Sequence, residues 1–337
     1  SYPLVGHLDP QFLTLMQEVQ QLLRFVFQTE NELTVPVSGT GSAGMEAALC
    51  NFIEPGDNVL VAVLGYFGER MVEMAGRYGA QVDRIDRPWG EAFDPDEIKA
   101  ALSQKSYKLL ALVHAETSTG VLQPGIAEIA AAAHDNGALV VMDTVTSLGG
   151  MPLEIDAWGV DVAFSGTQKS MSAPPGLAPL TISPRAREVL RNRSVPVGNW
   201  YLDLSLLEKY WGSERTYHHT APINSNYALR EALRMVAEEG LEERFARHRA
   251  NAEVHWAGLE DLDISLLVPE EIRLTTLTTA VIPPGVDDLE LRKTLLNEYN
   301  LEIAGGFGPL VGQIWRIGLM GYSSRLENVM LLLAALR

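Results

Sequence analysis

The chain has a single cysteine, Cys50, among its 337 residues, so no disulfide can form within it. A reducing compartment is the simplest expectation. Basic side chains are also scarce: 26 lysines and arginines stand against 43 acids, a formal net charge of −17. Like charges repel, which argues against a nucleic-acid backbone or an anionic membrane surface as the main partner. A local pocket can oppose the global sign, so a small anionic ligand stays open. No apolar run reaches the roughly 18 residues that suggest a spanning helix. The opening SYPLVGHLDP has no initiator Met and lacks the charged-then-apolar layout of a signal peptide. A cytoplasmic chain, trimmed at its start, is therefore expected.

Hydrophobic residues make up 47% of the chain and charged ones 20%, enough for one large domain and a smaller one. Apolar, β-rich runs alternate with helical patterns. Leu15, Val19, Leu22, Leu23 and Val26 recur at helical spacing across residues 12–29. A short strand at 34–37 leads into SGTGSAG, which opens a helix running to about Phe52. Pro55-Gly56-Asp57 marks a turn before the run 58–64, and a helix at 67–78 precedes a strand at 81–85. Asp94-Pro95-Asp96-Glu97 starts another helix, and 108–114 reads as a buried strand. Pro124 opens an alanine-rich helix with Gly137 as its C-terminal cap. Strands at 138–143, 161–164 and 177–182 follow.

This alternation predicts an α/β fold, a mainly parallel sheet with helices on both faces. Ligands of such sheets bind beyond the carboxyl ends of the strands. Residues 1–239 are expected to form this large domain. Residues 240–337 form a smaller α+β one, with helices at 241–259 and 288–299, strand-like runs at 274–282 and 313–319, a glycine-rich turn at 305–308 and a last helix from about Ser324.

Gly39-Thr40-Gly41-Ser42-Ala43-Gly44 lies between a strand and a helix. Glycines let backbone N–H groups approach an anion, and the helix N-terminus adds partial positive charge. Phosphate binding and a plain tight turn both fit. A dinucleotide fold also wants an acid about 20 positions on, where Ala62-Val63-Leu64-Gly65 stands instead.

Lys169 follows a strand within Ser165-Gly166-Thr167-Gln168-Lys169-Ser170. A lone loop lysine is usually a solvated one. Here Asp143 closes the strand VVMD 26 positions earlier, although an aspartate there can also cap a turn. Pyridoxal phosphate needs both groups: an amine to carry it, and a carboxylate to keep its ring nitrogen protonated so that the ring accepts electrons.

With these residues in view, the chain resembles the class V, fold-type I pyridoxal-phosphate enzymes. Within them it is similar to the alanine–glyoxylate and serine–glyoxylate (serine–pyruvate) aminotransferases. The likeness runs nearly end to end through SGTGSAGMEAAL, EPGDNVLV, HAETSTGVLQP, MDTVTSLGG, SGTQKSMSAPPG, YHHTAPI and RIGLMG. The resemblance implies a cofactor carried as a Schiff base on Lys169, with Asp143 at its pyridinium nitrogen. It implies a phosphate turn of Thr40, Gly41 and Ser42, joined by Gln168, with Phe67 stacked on the ring and Ser118 near it. Tyr217 and Thr220 would reach the cofactor phosphate of the partner subunit in a homodimer, and Arg316 would bind the substrate carboxylate. Arginine suits that role because its planar fork grips a carboxylate through two parallel bonds.

Two departures stand out. A glycine- and proline-rich segment that helps line the family's substrate pocket is missing before residue 1, and Phe67 and Ser42 replace the Trp and His of some relatives. A metal site at His218-His219 is not expected, because adjacent side chains diverge and no third ligand is spaced to join them. Three rivals remain. A cysteine desulfurase needs a cysteine on a mobile loop, whereas Cys50 falls in the apolar helix ALCNFI. An NAD-dependent dehydrogenase leaves the Asp143–Lys169 pair unexplained. A non-catalytic binding module would not need Lys169, Asp143 and Arg316 intact.

Overall fold

The computed structural model describes residues 4–337; the first three residues of the opening stretch lie outside it. A first helix, α1 (Pro10–Phe27), is capped by the Asp9 carboxylate on the Gln11 amide and buries Phe12, Met16, Val19, Leu23 and Val26 on one face. There follow β1 (Leu33–Ser38), α2 (Gly41–Cys50), β2 (Asn58–Val63), α3 (Tyr66–Arg77), β3 (Gln81–Asp86), α4 (Pro95–Leu102) and β4 (Leu109–Val113). A two-stranded hairpin, β5 (Ala115–Glu116) and β6 (Val121–Leu122), leads to α5 (Ile126–Asn136), β7 (Leu139–Asp143), α6 (Ile155–Trp158), β8 (Val162–Phe164) and β9 (Leu177–Ile182).

Seven strands form one sheet in the order β1-β9-β8-β7-β4-β2-β3. β9 alone runs against its neighbours, pairing antiparallel with β8 and β1, while β8, β7, β4, β2 and β3 pair in parallel. The α/β expectation holds. Every residue of β4 and β7 is buried, as a strand covered on both faces requires. The edge strand β3 instead carries Asp83, Arg84 and Asp86 and is half-exposed, a charged edge that resists pairing with another chain. Gly137 caps α5 in the left-handed region as expected.

The stretch after β9 holds α7 (Pro184–Arg191), α8 (Leu204–Trp211) and α9 (Ile223–Glu239), none of which the sequence reading assigned. α9 packs along α1. At Gly240 (φ 83°) the chain turns from α9 into α10 (Leu241–Glu260). Beyond it, β10 (Leu277–Val281), α11 (Asp288–Tyr299), β11 (Ala304–Gly305), β12 (Ile314–Gly318) and α12 (Leu326–Leu336) surround a separate apolar core that includes Ile264, Leu295, Trp315, Ile317 and Val329. Their three strands form an antiparallel sheet in the order β10-β12-β11.

Candidate active site

The carboxyl ends of five main-sheet strands, β1, β2, β4, β7 and β8, and the connections that leave them carry the site residues foreseen on the large domain, Tyr217 and Thr220 apart. After β1, Gly39 has φ 150°, and a Cβ there would lie 2.5 Å from the Ala43 Cβ, so the turn needs glycine. Thr40 is the exposed N-cap of α2, and its side chain makes no capping bond. The first N–H groups of α2, at Gly41 and Ser42, are those that a helix cannot satisfy itself, an anion cradle on general grounds. Gly44 lets α2 approach the sheet, since a Cβ there would come within 2.9 Å of the Ala178 Cβ.

After β7, Asp143 is 3% exposed. Its Oδ1 accepts the Val145 amide at 2.8 Å, so it does cap a turn. No hydrogen bond reaches Oδ2 among the described residues. Burial pushes this carboxyl up to about 7; the Val145 bond opposes that, the nearby Glu116 carboxylate adds to it, and the charges of Lys169 and Arg70 counter it. After β8, Lys169 is half-buried, with Gln168 exposed beside it. The Lys169 amine is held below the ordinary lysine range, first by burial and then by the positive charge of Arg316, against the pull of Asp143. Lys169 lines a cleft of about 460 Å³ with Gln168, Ser172, Ala173, Met320 and Tyr322 among its walls.

Arg316 enters from β12. Its Nε donates to the Gly305 carbonyl at 2.8 Å, and its guanidinium lies 4.0 Å from the Phe307 ring centre. Burial lowers its pKa, while Glu116 acts in the opposite sense. Lys169 and Glu116 thus each lie within electrostatic reach of both Asp143 and Arg316.

After β2, Phe67 opens α3 half-buried, edge-on to Tyr66 at 5.7 Å. Ser118 is fully buried. Its Oγ donates to Glu116 Oε1 at 2.6 Å and accepts the Tyr66 amide at 3.0 Å. The hydroxyl is therefore committed to the N-terminus of α3. Tyr217 and Thr220 lie on the loop between α8 and α9, both exposed, with their hydroxyls 3.4 Å apart. Among the described residues no contact joins either to Lys169, Asp143 or Arg316.

Three residues were not foreseen: Glu116, Arg70 and Phe307. Glu116 is fully buried and its carboxyl is raised by burial, opposed by the Ser118 bonds and by the amides of Gly68 and Phe67. Those two amides face the carboxylate without reaching good hydrogen-bond geometry, and Oε2 stays without a partner. The signal for Glu116 was an acid inside an otherwise neutral run, ETSTG. Arg70 lies one helical turn beyond Tyr66 and Phe67, a spacing that places them together.

One expectation needs correcting. His218 and His219 do not diverge: their Nδ1 atoms are 2.8 Å apart, because the loop backbone there has no strand alternation. His218 stacks on Trp200 and His219 bonds the Ser38 hydroxyl. Among the described residues no three His, Cys, Asp or Glu side chains gather in a way that could hold a metal ion. Cys50 ends α2 fully buried, its thiol pushed up to about 12, first by burial, so it offers no thiolate nucleophile.

The donor set fits pyridoxal phosphate. A buried carboxyl with a raised pKa and no paired cation is what a protonated ring nitrogen would complete, and a helix N-terminus stands ready for the phosphate.

The class-V aminotransferase family model matches residues 4–327. A crystal structure of an alanine–glyoxylate aminotransferase from Nostoc sp. is 56% identical, with a TM-score of 0.98 over 99% of this chain and 89% of that one. A (S)-ureidoglycine–glyoxylate transaminase of Bacillus subtilis is 41% identical over 100% of this chain and 85% of its own length. The alanine–glyoxylate aminotransferase of Mus musculus is 40% identical over 100% of this chain and 82% of its own. From the cleft residues through to the matched family model, the chain belongs to the class V aminotransferases, fold-type I enzymes whose cofactor is pyridoxal phosphate.

Proposed function

We propose that this transaminase moves the amino group of a small amino acid, alanine or serine, to glyoxylate or a similar small 2-keto acid. The observation that carries this reading is that Lys169, after one strand end, lies within electrostatic reach of both Asp143, at the next strand end, and Arg316. Both alanine and ureidoglycine relatives carry glyoxylate in their names, which supports it as acceptor. The 56% identity to an alanine–glyoxylate enzyme supports alanine as donor.

Lys169 would hold the cofactor covalently and Asp143 would face its ring nitrogen. Thr40, Gly41, Ser42 and Gln168 would cradle its phosphate, with Phe67 stacked on the ring and Ser118 beside it. When bound, pyridoxal phosphate supplies the electron sink that stabilises negative charge at the substrate's Cα. The Arg316 fork binds the α-carboxylate and so fixes Cα near Lys169. Nζ of Lys169, freed once the donor's amine takes its place on the cofactor and with its pKa lowered, would take the proton from Cα of the donor and return one to the acceptor carbon. Asp143, once paired with a cation, stays ionised.

The exposed positions of Tyr217 and Thr220 support a homodimer in which they reach the partner's cofactor phosphate. The separate core of residues 259–333 supports division at residues 1–239 and 240–337, although Leu241 packs in the first core. A cytoplasmic setting suits a chain whose one cysteine is buried and unpaired. Among the described residues no helix is long and apolar enough to cross a membrane.

A panel of alanine, serine and (S)-ureidoglycine against glyoxylate and pyruvate tests the reading. Parallel double-reciprocal lines for an alanine–glyoxylate pair are expected, because the first product leaves before the second substrate enters. Converging lines, or no turnover with any pair, would overturn it.

A further inference from the structure

Four side chains form a column across the mouth of the site. The Arg316 guanidinium lies 4.0 Å from the centre of the Phe307 ring. Phe307 stacks on Tyr66 at 5.0 Å with 20° between the planes. Tyr66 in turn carries the Arg70 guanidinium at 5.1 Å, and Arg70 Nη1 donates to the Ser42 hydroxyl at 2.9 Å. Phe67 stands edge-on to Phe307 at 6.5 Å, with Arg70 5.0 Å from its ring centre. The column therefore runs from the turn at residues 40–42 to the arginine on β12.

Arg70 forms no ion pair with a carboxylate among the described residues, so its contacts are the two rings and the hydroxyl. At the other end, one loop supplies two of the restraints on Arg316: Gly305 gives the carbonyl in line with Nε, and Phe307 covers a face, while Nη1 reaches the Thr117 carbonyl only at 3.5 Å. The loop itself is closely packed at two of its glycines. A Cβ at Gly306 would lie 2.0 Å from the Leu310 carbonyl oxygen, and one at Gly308 (φ 47°) would lie 2.8 Å from the Trp89 ring. A guanidinium held by one short Nε bond and one long Nη1 bond can still tilt its fork, and a ring against its face limits that freedom.

We propose that Phe307 is a positioning residue for Arg316, holding the guanidinium plane so that its Nη edge meets an α-carboxylate, and that Tyr66 and Arg70 brace this ring from the phosphate side. The inference rests on the reading of Arg316 as the substrate-carboxylate anchor. It assigns Phe307 a part in binding the α-carboxylate, common to donor and acceptor, and none in holding the cofactor.

The test compares Phe307→Leu, Phe307→Met and Phe307→Tyr with Arg316→Gln and with the double variant Phe307→Leu/Arg316→Gln, all as holoenzyme. Steady-state kinetics give KM and kcat; a titration with acetate, followed by cofactor absorbance, gives the affinity for a carboxylate that cannot react. Leu and Met fill the site without a ring. Each is expected to raise KM for amino acid and keto acid, and the acetate Kd, by about tenfold, with kcat within about twofold. Phe307→Tyr keeps the ring and is expected to match the parent. In the Arg316→Gln background the Leu change is expected to add nothing. The proposal is overturned if Leu and Met leave KM and the acetate Kd within about twofold of the parent, or if the same rise persists without Arg316. If Arg316→Gln leaves KM and acetate binding unchanged, the anchor reading itself fails and the proposal falls with it.

Discussion

Asp143 is the residue where burial and charge compete most openly. Its carboxyl is pushed up to about 7 in the folded chain, whereas an unfolded aspartate titrates near about 3.9. The folded cofactor-free protein therefore holds an extra proton between these two values. Its stabilising contribution is complete below the unfolded pKa and is lost as pH rises through about 7. The loss amounts to a few kcal/mol, about 4 at most. Cofactor-free protein is expected to melt lower relative to Asp143→Asn at pH 8 than at pH 5; equal differences at both pH values would show that the carboxyl is not desolvated. The placing of Lys169 near Asp143 was legible from sequence because an acid closing one strand and an amine following the next are brought to the same sheet end. Glu116 was not, because an acid two positions past the expected strand at 108–114 looks solvent-facing until the packing of α3 above it is known. Ser118 shows the opposite limit: its place near the site was legible, but not that its hydroxyl turns toward Glu116 and the Tyr66 amide.

At the scale of elements, α3 depends on what lies beneath its first turn. Gly65 precedes it, and a Cβ there would lie 2.4 Å from Ser118 Oγ and 2.8 Å from Glu116 Cγ. Gly65→Ala is thus expected to lower stability by about 1–3 kcal/mol through overpacking, seen as a lower denaturant midpoint, and to displace Phe67. A variant as stable as its parent would mean that the α3 terminus is loosely held. The helices α2 to α5 were readable through glycines, prolines and an aspartate cap. The capping box of Asp94 and Glu97 on α4 is present as its sequence suggested. The helices α7 to α9 went unread although their signals were there: Ser183 and Asp203 cap α7 and α8 through their side chains, with Pro184 opening the first. α9 hid its stripe because a polar residue, Asn226, occupies a buried position within it.

At the scale of the whole molecule, the two cores meet around α10. Arg244 donates to the carbonyls of Gly149 and Ser170, beside Lys169, while Arg247 donates to those of Gly321 and Ser324, and Glu239 pairs with both arginines. His248 accepts the Gly321 amide on Nε2 at 2.9 Å, which fixes it as a neutral ring with its proton on Nδ1. Burial pulls His248, and likewise His255 and His114, down to about 4. For a base with a depressed folded pKa, the stabilising contribution is present above the unfolded value near about 6.5 and is lost as pH falls through about 4. His248→Gln is expected to make the acid unfolding curve shallower across that window; an unchanged curve would place the acid sensitivity elsewhere. None of this coupling was legible in the sequence, since it joins residues about 70 to 95 positions apart through backbone carbonyls.

The central claim is that one amine, on Lys169, carries the cofactor within electrostatic reach of Asp143 and Arg316. Its most direct measurement is to load the protein with pyridoxal phosphate, reduce it with borohydride, and map the modified peptide by mass spectrometry. The expected result is one stoichiometric label on Lys169, absent from Lys169→Ala. A label on another lysine, or none at all, would contradict the account.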